Sequence, residues 1–147
     1  MNNLKEHRHL GVYGLIIEDD KILLIKKANG PYKGKLDLPG GSIEFGEKPE
    51  DTLKREIEEE TGIMIDKYTL FDANSVINLY LNIKEQHMGI FYKILSYKGD
   101  IKKEINLDNN NDDSLGSEFY IINDLKKEQL SKIAILELEK LGYNLKN

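Results

Sequence analysis

The sequence has no cysteine and few prolines, and it has fewer basic than acidic residues. The absence of cysteine excludes disulfides, thiolate metal sites and a cysteine nucleophile. With 21 basic and 26 acidic residues, the net charge is −5, which argues against a stable nucleic-acid or anionic-membrane partner because such proteins usually carry a basic surface. A small anionic substrate remains compatible, since a bound metal can reverse the charge locally.

Long apolar runs are also missing. No run reaches the roughly 18 apolar residues that a membrane span needs, and the start "MNNLKEHRHLGVYG" lacks the apolar segment of a signal peptide. We therefore expect a cytoplasmic protein. A length of 147 residues with 39% hydrophobic and 32% charged content predicts one folded domain over residues 1–147.

Short apolar runs alternate with polar turns, and two helical segments separate them, which predicts an α+β fold with a mixed sheet flanked by helices. Pro49 suits a first helical turn and Gly62 a helix end. Strands are predicted at residues 11–18, 21–27, 63–71, 76–83, 87–97 and 117–122, and helices at residues 49–61 and 125–141. Turns are predicted at residues 19–20 and 84–86, with a polar tail before residue 11 that includes His7, Arg8 and His9. His87 is expected at a strand edge or on the surface.

The first predicted helix concentrates carboxylates in "REIEEE", residues 55–60. At about 100° per residue, Glu56, Glu59 and Glu60 share an arc of roughly 100° beside the apolar face, whereas Glu58 points away. Each like-charge pair one turn apart should cost about 0.2–0.5 kcal/mol. Oxygen donors that converge from one face suit Mg²⁺, which also accepts substrate phosphate as a ligand, and Mn²⁺ would accept the same donors.

A charged run of this kind is usually just a solvated helix face, but its neighbours here favour a specific site. Glycines, a proline and a glutamate precede the helix at fixed spacings. Gly41 is followed after five residues by Glu47, and Glu47 is followed after seven residues by Arg55-Glu56-Ile57. One residue then separates Ile57 from Glu59-Glu60, and one more separates Glu60 from Gly62-Ile63. This stretch, residues 41–63, resembles the signature of the Nudix hydrolases, the Nudix box, without a departure. The preceding "KGKLDLPGG" is similar to the lead-in of the family, although Leu36 stands where an aromatic residue is common.

The resemblance implies an α/β/α sandwich and the hydrolysis of a nucleoside diphosphate linked to another group, with Mg²⁺ or Mn²⁺ as cofactor. By position, Glu56, Glu59 and Glu60 match the metal-binding glutamates of the family, and a backbone carbonyl at Gly41 often joins them. Glu47 and Arg55 match the pair that steadies the helix and its carboxylates. A homodimer would also be consistent with the family.

The general base varies among Nudix hydrolases, so several carboxylates are candidates here. Within the box they are Glu56 and Glu59. Outside it they are Asp112, Asp113 and Glu118, of which Asp113 is the preferred additional ligand or base, although a solvated loop aspartate is the simpler interpretation.

Markers of several Nudix subfamilies are absent. The ADP-ribose type has a proline about fifteen residues after the box, where this chain has Ile77 or Asn78, and Tyr80 is only a weak match to the diadenosine polyphosphate type. We therefore expect a small-molecule nucleotide substrate, first a (deoxy)nucleoside triphosphate cleaved to monophosphate and pyrophosphate. Dinucleoside polyphosphates, nucleotide sugars and capped RNA are alternatives. A module that binds a nucleotide without cleaving it is less favoured, because such modules usually lose box carboxylates.

Overall fold

The computed structural model describes residues 4–102 and 114–147, with the side chains of residues 114 and 115 excepted. These residues form strands β1 to β8, helices α1 and α2, and two short 3₁₀ helices. The strands are β1 (Lys5–Leu15), β2 (Ile17–Glu18), β3 (Lys21–Lys27), β4 (Leu36–Asp37), β5 (Gly40–Ser42), β6 (Met64–Tyr80), β7 (Ile83–Lys98) and β8 (Ser114–Ile121). The α-helices are α1 (Pro49–Thr61) and α2 (Lys132–Lys140), and the 3₁₀ helices are Ile122–Asp124 and Lys127–Gln129.

The larger sheet is mixed and has the strand order β5-β1-β7-β6. Its central pair, β1 and β7, is parallel, and β5 and β6 are antiparallel neighbours on either side. In the second sheet β3 is the central strand, and it pairs antiparallel with β2, β4 and β8. Two strands distant in sequence therefore lie side by side in the larger sheet.

Successive side chains of a strand point to opposite faces, and here both faces are buried. Val12 and Leu23 belong to the hydrophobic cluster that contains Leu53 of α1. Their neighbours Tyr13 and Leu24 belong to the cluster that contains residues of α2. The layers are thus helix, sheet and helix, and the predicted α+β fold of sandwich type with a mixed sheet is confirmed.

Helix α1 begins and ends where the sequence predicts. Pro49 occupies its first turn, where a missing backbone N–H has no cost. Gly62 ends it with a φ of 83°, a left-handed conformation that glycine adopts without strain, and donates its N–H to the Glu58 carbonyl at 2.9 Å. The predicted turn at Asp19-Asp20 is also confirmed, since both residues have positive φ between β2 and β3.

The region after α1 differs from the prediction. In place of the two predicted strands at residues 63–71 and 76–83, the chain forms one bulged strand, β6, which ends at Tyr80. The predicted turn at residues 84–86 is wrong because these residues lie in β7. The hairpin turns at residues 81–82 instead, with Leu81 at a φ of 54°. A strand with one solvated face carries polar residues, as residues 84–86 do, and in the sequence such residues resemble a turn. This resemblance explains the wrong turn prediction.

The predicted N-terminal tail and second helix are also corrected. His7, Arg8 and His9 lie in β1, which extends to Lys5 because β7 offers it a parallel partner. Helix α2 begins only at Lys132, where Ser131 caps it by accepting a hydrogen bond from the Ala134 N–H at 3.2 Å. The strand predicted at residues 117–122 corresponds to β8, which begins at Ser114 and ends at Ile121, because Ile122 starts a 3₁₀ helix. Within the described residues, no helix combines the length and apolarity that a membrane crossing requires.

Candidate active site

Arg55, in the middle of α1, is the centre of a hydrogen-bonded group that joins the helix to the loop before it. Its Nε and Nη2 donate to the two carboxylate oxygens of Glu47, each at 2.8 Å. The Glu44 N–H and the Thr52 hydroxyl also donate to Glu47, each at 2.9 Å. The hydrogen bonds from Arg55 are the main reason that the pKa of Glu47 falls to about 2. Glu47 is therefore a permanent anion that fixes the guanidinium.

The same guanidinium holds the first box glutamate. Arg55 Nη1 donates to Glu56 Oε1 at 2.8 Å, and Nη2 donates to the Ser42 carbonyl at 3.2 Å. The Glu56 carboxylate lies against the backbone of Gly41, where an added Cβ would stand 2.6 Å from Glu56 Oε2. Burial raises the pKa of Glu56. Because Gly41 has no side chain, the partly buried Glu56 carboxylate can pack against the backbone of the loop.

Glu60 lies beneath this loop. It is 5% exposed, and its Oε1 accepts a hydrogen bond from the Gly40 N–H at 2.8 Å. Burial raises the pKa of Glu60 well above its ordinary value. This bond ties the C-terminal end of α1 to the glycine turn that precedes the helix.

Glu59 is the exposed member of the predicted set, with a side chain 60% exposed and an oxygen 3.6 Å from Arg55 Nη1. Glu56 lies within electrostatic reach of both Glu59 and Glu60, so a charge on Glu56 is repelled from both sides. Glu58 is exposed, and no hydrogen bond or ion pair joins it to this group within the described residues. The structure therefore brings Glu47, Arg55, Glu56, Glu59, Glu60 and Gly41 together.

This donor set fits a hard divalent cation. Glu56 is repelled by Glu59 and Glu60 along the C-terminal half of α1, and it lies beside Gly41, whose missing side chain leaves room for its carboxylate. A cation would offset that repulsion, and oxygen donors of this kind are preferred by Mg²⁺ and Mn²⁺.

The candidates outside the box are less informative. Asp112 and Asp113 lie outside the described residues, so Asp113 stays a prediction. Glu118 is exposed on β8, where it pairs in register with Leu24.

A second polar cluster, which the sequence reasoning missed, lies where β1 meets β7. The parallel register places His9 opposite His87. The two imidazoles are stacked with centroids 4.7 Å apart and planes inclined by 16°. His87 is 2% exposed, so its predicted surface position is wrong. We call His9, His87 and the nearby Glu85 the imidazole wall.

A sequence signal for this cluster exists. "HLGVY" in β1 and "HMGIF" in β7 share the order histidine, aliphatic, glycine, aliphatic, aromatic, and they pair in register. Each glycine lets the aromatic ring two residues later lie over it, because a Cβ at Gly11 or Gly89 would overlap the ring of Tyr13 or Phe91. The repeated pattern thus identifies two neighbouring strands with stacked rings.

Buried hydrogen bonds hold His87 in place. Its Nε2 lies 2.5 Å from the Tyr13 hydroxyl and its Nδ1 lies 3.1 Å from the Tyr32 hydroxyl, which also accepts from Asn78 Nδ2 at 2.9 Å. Burial lowers the pKa of His87 to about 3, so the ring is neutral and has one donor and one acceptor nitrogen. The back of the imidazole wall is therefore rigid and uncharged.

The imidazole wall contains three donor groups near one another but does not have the geometry of a metal site. Ligand atoms of His9, Glu85 and His87 lie within 4.8 Å of one another, and two histidines with a glutamate can bind zinc. A metal lies close to the plane of each imidazole that binds it, and stacked rings place their planes side by side. Both nitrogens of His87 are also engaged by tyrosines.

The imidazole wall adjoins the box loop. His9 Nε2 lies 2.6 Å from the hydroxyl of Ser42, the residue whose carbonyl accepts from Arg55. The charge of Lys27 affects His9 and His87 on one side and Glu56 and Glu60 on the other. The carboxylates and the imidazole wall are therefore two halves of one continuous site.

Comparison with known proteins agrees with this geometry. The NUDIX domain profile matches residues 7–136. An ADP-ribose pyrophosphatase of Methanocaldococcus jannaschii is 37% identical over 121 residues, which are 82% of this chain and 66% of that protein. An 8-oxo-dGTP diphosphatase of Escherichia coli is 39% identical over 76 residues, which are 51% of this chain and 55% of that protein. The chain thus spans less than two thirds of either relative.

Solved structures show the same architecture. A crystal structure of a MutT NUDIX hydrolase from Burkholderia pseudomallei has a TM-score of 0.77 and 27% sequence identity. The match covers 91% of this chain and 98% of that one.

Proposed function

The chain belongs to the Nudix family, and from this premise we propose that it is a pyrophosphohydrolase that cleaves a nucleoside diphosphate linked to another group. Nudix hydrolases depend on divalent metals. The observation that carries the proposal is Arg55, which joins Glu47 to Glu56 beside the Gly40-Gly41 turn while Glu60 anchors the same turn from below. A solvated charged helix would not need these bonds.

We assign the cation to Glu56, Glu59 and Glu60, with the Gly41 carbonyl as a further ligand. A cation bound there would screen the charge of the anhydride and stabilise the leaving phosphate. Mg²⁺ and Mn²⁺ both suit these donors.

The protein groups orient the site and move the proton. Glu47 and Arg55 are positioning residues, since they hold Glu56 without reaching the substrate. Glu59 is the exposed carboxylate of the set, so we assign it the removal of a proton from the attacking water, a step worth roughly 10²–10⁴-fold. Asp113 is the alternative base, from outside the box.

For the substrate, we propose first a (deoxy)nucleoside triphosphate, cleaved to monophosphate and pyrophosphate. The likeness to the E. coli 8-oxo-dGTP diphosphatase, which is named for a nucleoside triphosphate, supports the triphosphate class of substrate. ADP-ribose is the second candidate, because the Methanocaldococcus relative named for that activity matches 82% of the chain. The two candidates differ in their products.

The test is to incubate the protein with Mg²⁺ or Mn²⁺ and a panel of nucleoside triphosphates, ADP-ribose, dinucleoside polyphosphates and nucleotide sugars. Chromatography of the products distinguishes pyrophosphate from a sugar phosphate. We expect hydrolysis that EDTA abolishes and added metal restores. Tight nucleotide binding without hydrolysis of any panel member would replace this proposal with a binding module.

A further inference from the structure

The imidazole wall differs in chemistry from the box carboxylates, and it suits a different part of a nucleotide. A nucleotide substrate has a polyanionic part and an uncharged nucleoside part, and the site has two halves of different character. The box half would hold the phosphates by way of a cation. The imidazole wall presents neutral rings and the carboxylate of Glu85, which would repel phosphate, so it suits the uncharged part.

The position of the imidazole wall fits the part of the nucleotide next to the phosphates. In register, Gly41 pairs with Val12, and His9 stands three residues earlier on β1, roughly 10 Å along the strand at about 3.3 Å per residue. Glu85 pairs with His7, two residues further along, and its carboxylate lies within 4.8 Å of a ring nitrogen of His9. The contact between His9 and Ser42 brings the imidazole back toward the loop. The sugar follows the α-phosphate in a nucleotide, so a substrate whose phosphates lie at the box places its ribose at the imidazole wall.

The free hydrogen-bonding groups of the imidazole wall match a sugar. Glu85 is half-buried, and its side chain makes no hydrogen bond or ion pair within the part of the chain that the structure describes. Its carboxylate lies within 4.8 Å of ring nitrogens of both histidines. A carboxylate accepts from two hydroxyls at once, and acidic residues bind ribose hydroxyls in other nucleotide sites.

We propose that Glu85, assisted by His9, accepts hydrogen bonds from the ribose hydroxyls of the substrate and makes the enzyme prefer ribonucleotides to 2′-deoxyribonucleotides. The proposal rests on the proposed function, because it assigns the sugar side of the same site. His87 and its tyrosines support this contact from behind and do not touch the sugar.

The experiment compares kcat/KM for ATP with dATP and for GTP with dGTP in the wild type and in Glu85→Gln. A hydrogen bond from a hydroxyl to a carboxylate should give about a 10- to 100-fold preference for the ribonucleotide. We expect Glu85→Gln to reduce this preference to less than about 5-fold, mainly by loss of activity on the ribonucleotide. Glu6→Gln is the matched control, because it also removes one carboxylate. Glu6 is exposed on β1, on the sheet face opposite to His9, so this variant should keep the ribonucleotide preference.

Binding without turnover separates this inference from the proposed function. Calorimetry of AMP and dAMP in EDTA needs neither metal nor hydrolysis, and AMP should bind more tightly in the wild type but not in Glu85→Gln. If the protein hydrolyses nothing yet shows this difference, the ribose contact stands and the activity fails. Hydrolysis with equal rates for ribo- and deoxyribonucleotides, unaffected by Glu85→Gln, would overturn the ribose contact alone.

Discussion

Arg55 and Glu47 form a two-pronged ion pair, with Nε to Oε2 and Nη2 to Oε1 both at 2.8 Å. The pair spans eight residues and closes the loop before α1 onto the helix. Because the third nitrogen of the guanidinium donates to Glu56, the pair also sets the direction of a proposed metal ligand. The planar fork of arginine makes this arrangement possible, and lysine cannot reproduce it.

We predict that Arg55→Lys lowers kcat/KM by about 10- to 100-fold and weakens Mn²⁺ binding, because groups that orient metal ligands typically have effects of that size. Steady-state kinetics and Mn²⁺ titration by electron paramagnetic resonance measure both. Arg8→Lys, at an exposed position of β1, is the control and should change neither. Unchanged activity in Arg55→Lys would show that the fork does not position Glu56.

Adjacent glutamates of α1 should differ in their importance. Glu59 lies 3.6 Å from Arg55 and on the side of Glu56, whereas Glu58 is solvated. We expect Glu59→Gln to reduce kcat by about 100-fold or more and Glu58→Gln to reduce it less than about 3-fold, because only the first removes a group at the reacting end of the helix. Equal losses in the two variants would contradict the assignment of one functional helix face.

Gly41 should not tolerate even the smallest side chain. Its φ is not positive, so alanine fits the backbone, but the added Cβ would stand 2.6 Å from the Glu56 carboxylate. We predict that Gly41→Ala displaces Glu56 and lowers activity and Mn²⁺ affinity at least about 10-fold, while the melting temperature changes by only a few degrees. Full activity in Gly41→Ala would mean that Glu56 need not approach the loop.

A buried acid away from the site should make stability depend on pH. Glu137 of α2 is fully buried, and desolvation with the charge of Asp72 raises its pKa to about 8 from 4.5. The folded state therefore retains a proton that the unfolded state releases, so the free energy of unfolding should fall as the pH rises from about 4.5 through 8.

Urea denaturation at pH 5 to 9 tests this dependence. Glu137→Gln should reduce the loss by the part that Glu137 contributes, so that the variant gains stability relative to the wild type as the pH rises to 9. Glu139→Gln, an exposed change on the same helix, should keep the pH profile of the wild type. Parallel profiles for the wild type and Glu137→Gln would show that Glu137 does not hold the proton.

Short-range signals made part of this structure predictable. Pro49 and Gly62 mark the ends of α1 by local backbone chemistry, and the aspartates at the β2–β3 turn do the same, so these boundaries needed no knowledge of the fold. The second helix was predicted seven residues too early at its start, because Leu125 and Leu130 are buried without being helical. In this segment the spacing of apolar residues correctly indicates which side chains are buried, but it does not show that the backbone is helical.

The sequence by itself determined the carboxylate half of the site, because Glu47, Arg55, Glu56, Glu59 and Glu60 lie within fourteen consecutive residues whose loop and helix are locally encoded. Only the tertiary structure decided the imidazole wall. His9 and His87 are 78 positions apart in the chain, and they meet because β1 and β7 pair in parallel, a contact that depends on the whole sheet. Local chemistry can fix a helix and its ligands, but a parallel pair of strands exists only after the intervening chain has folded between them.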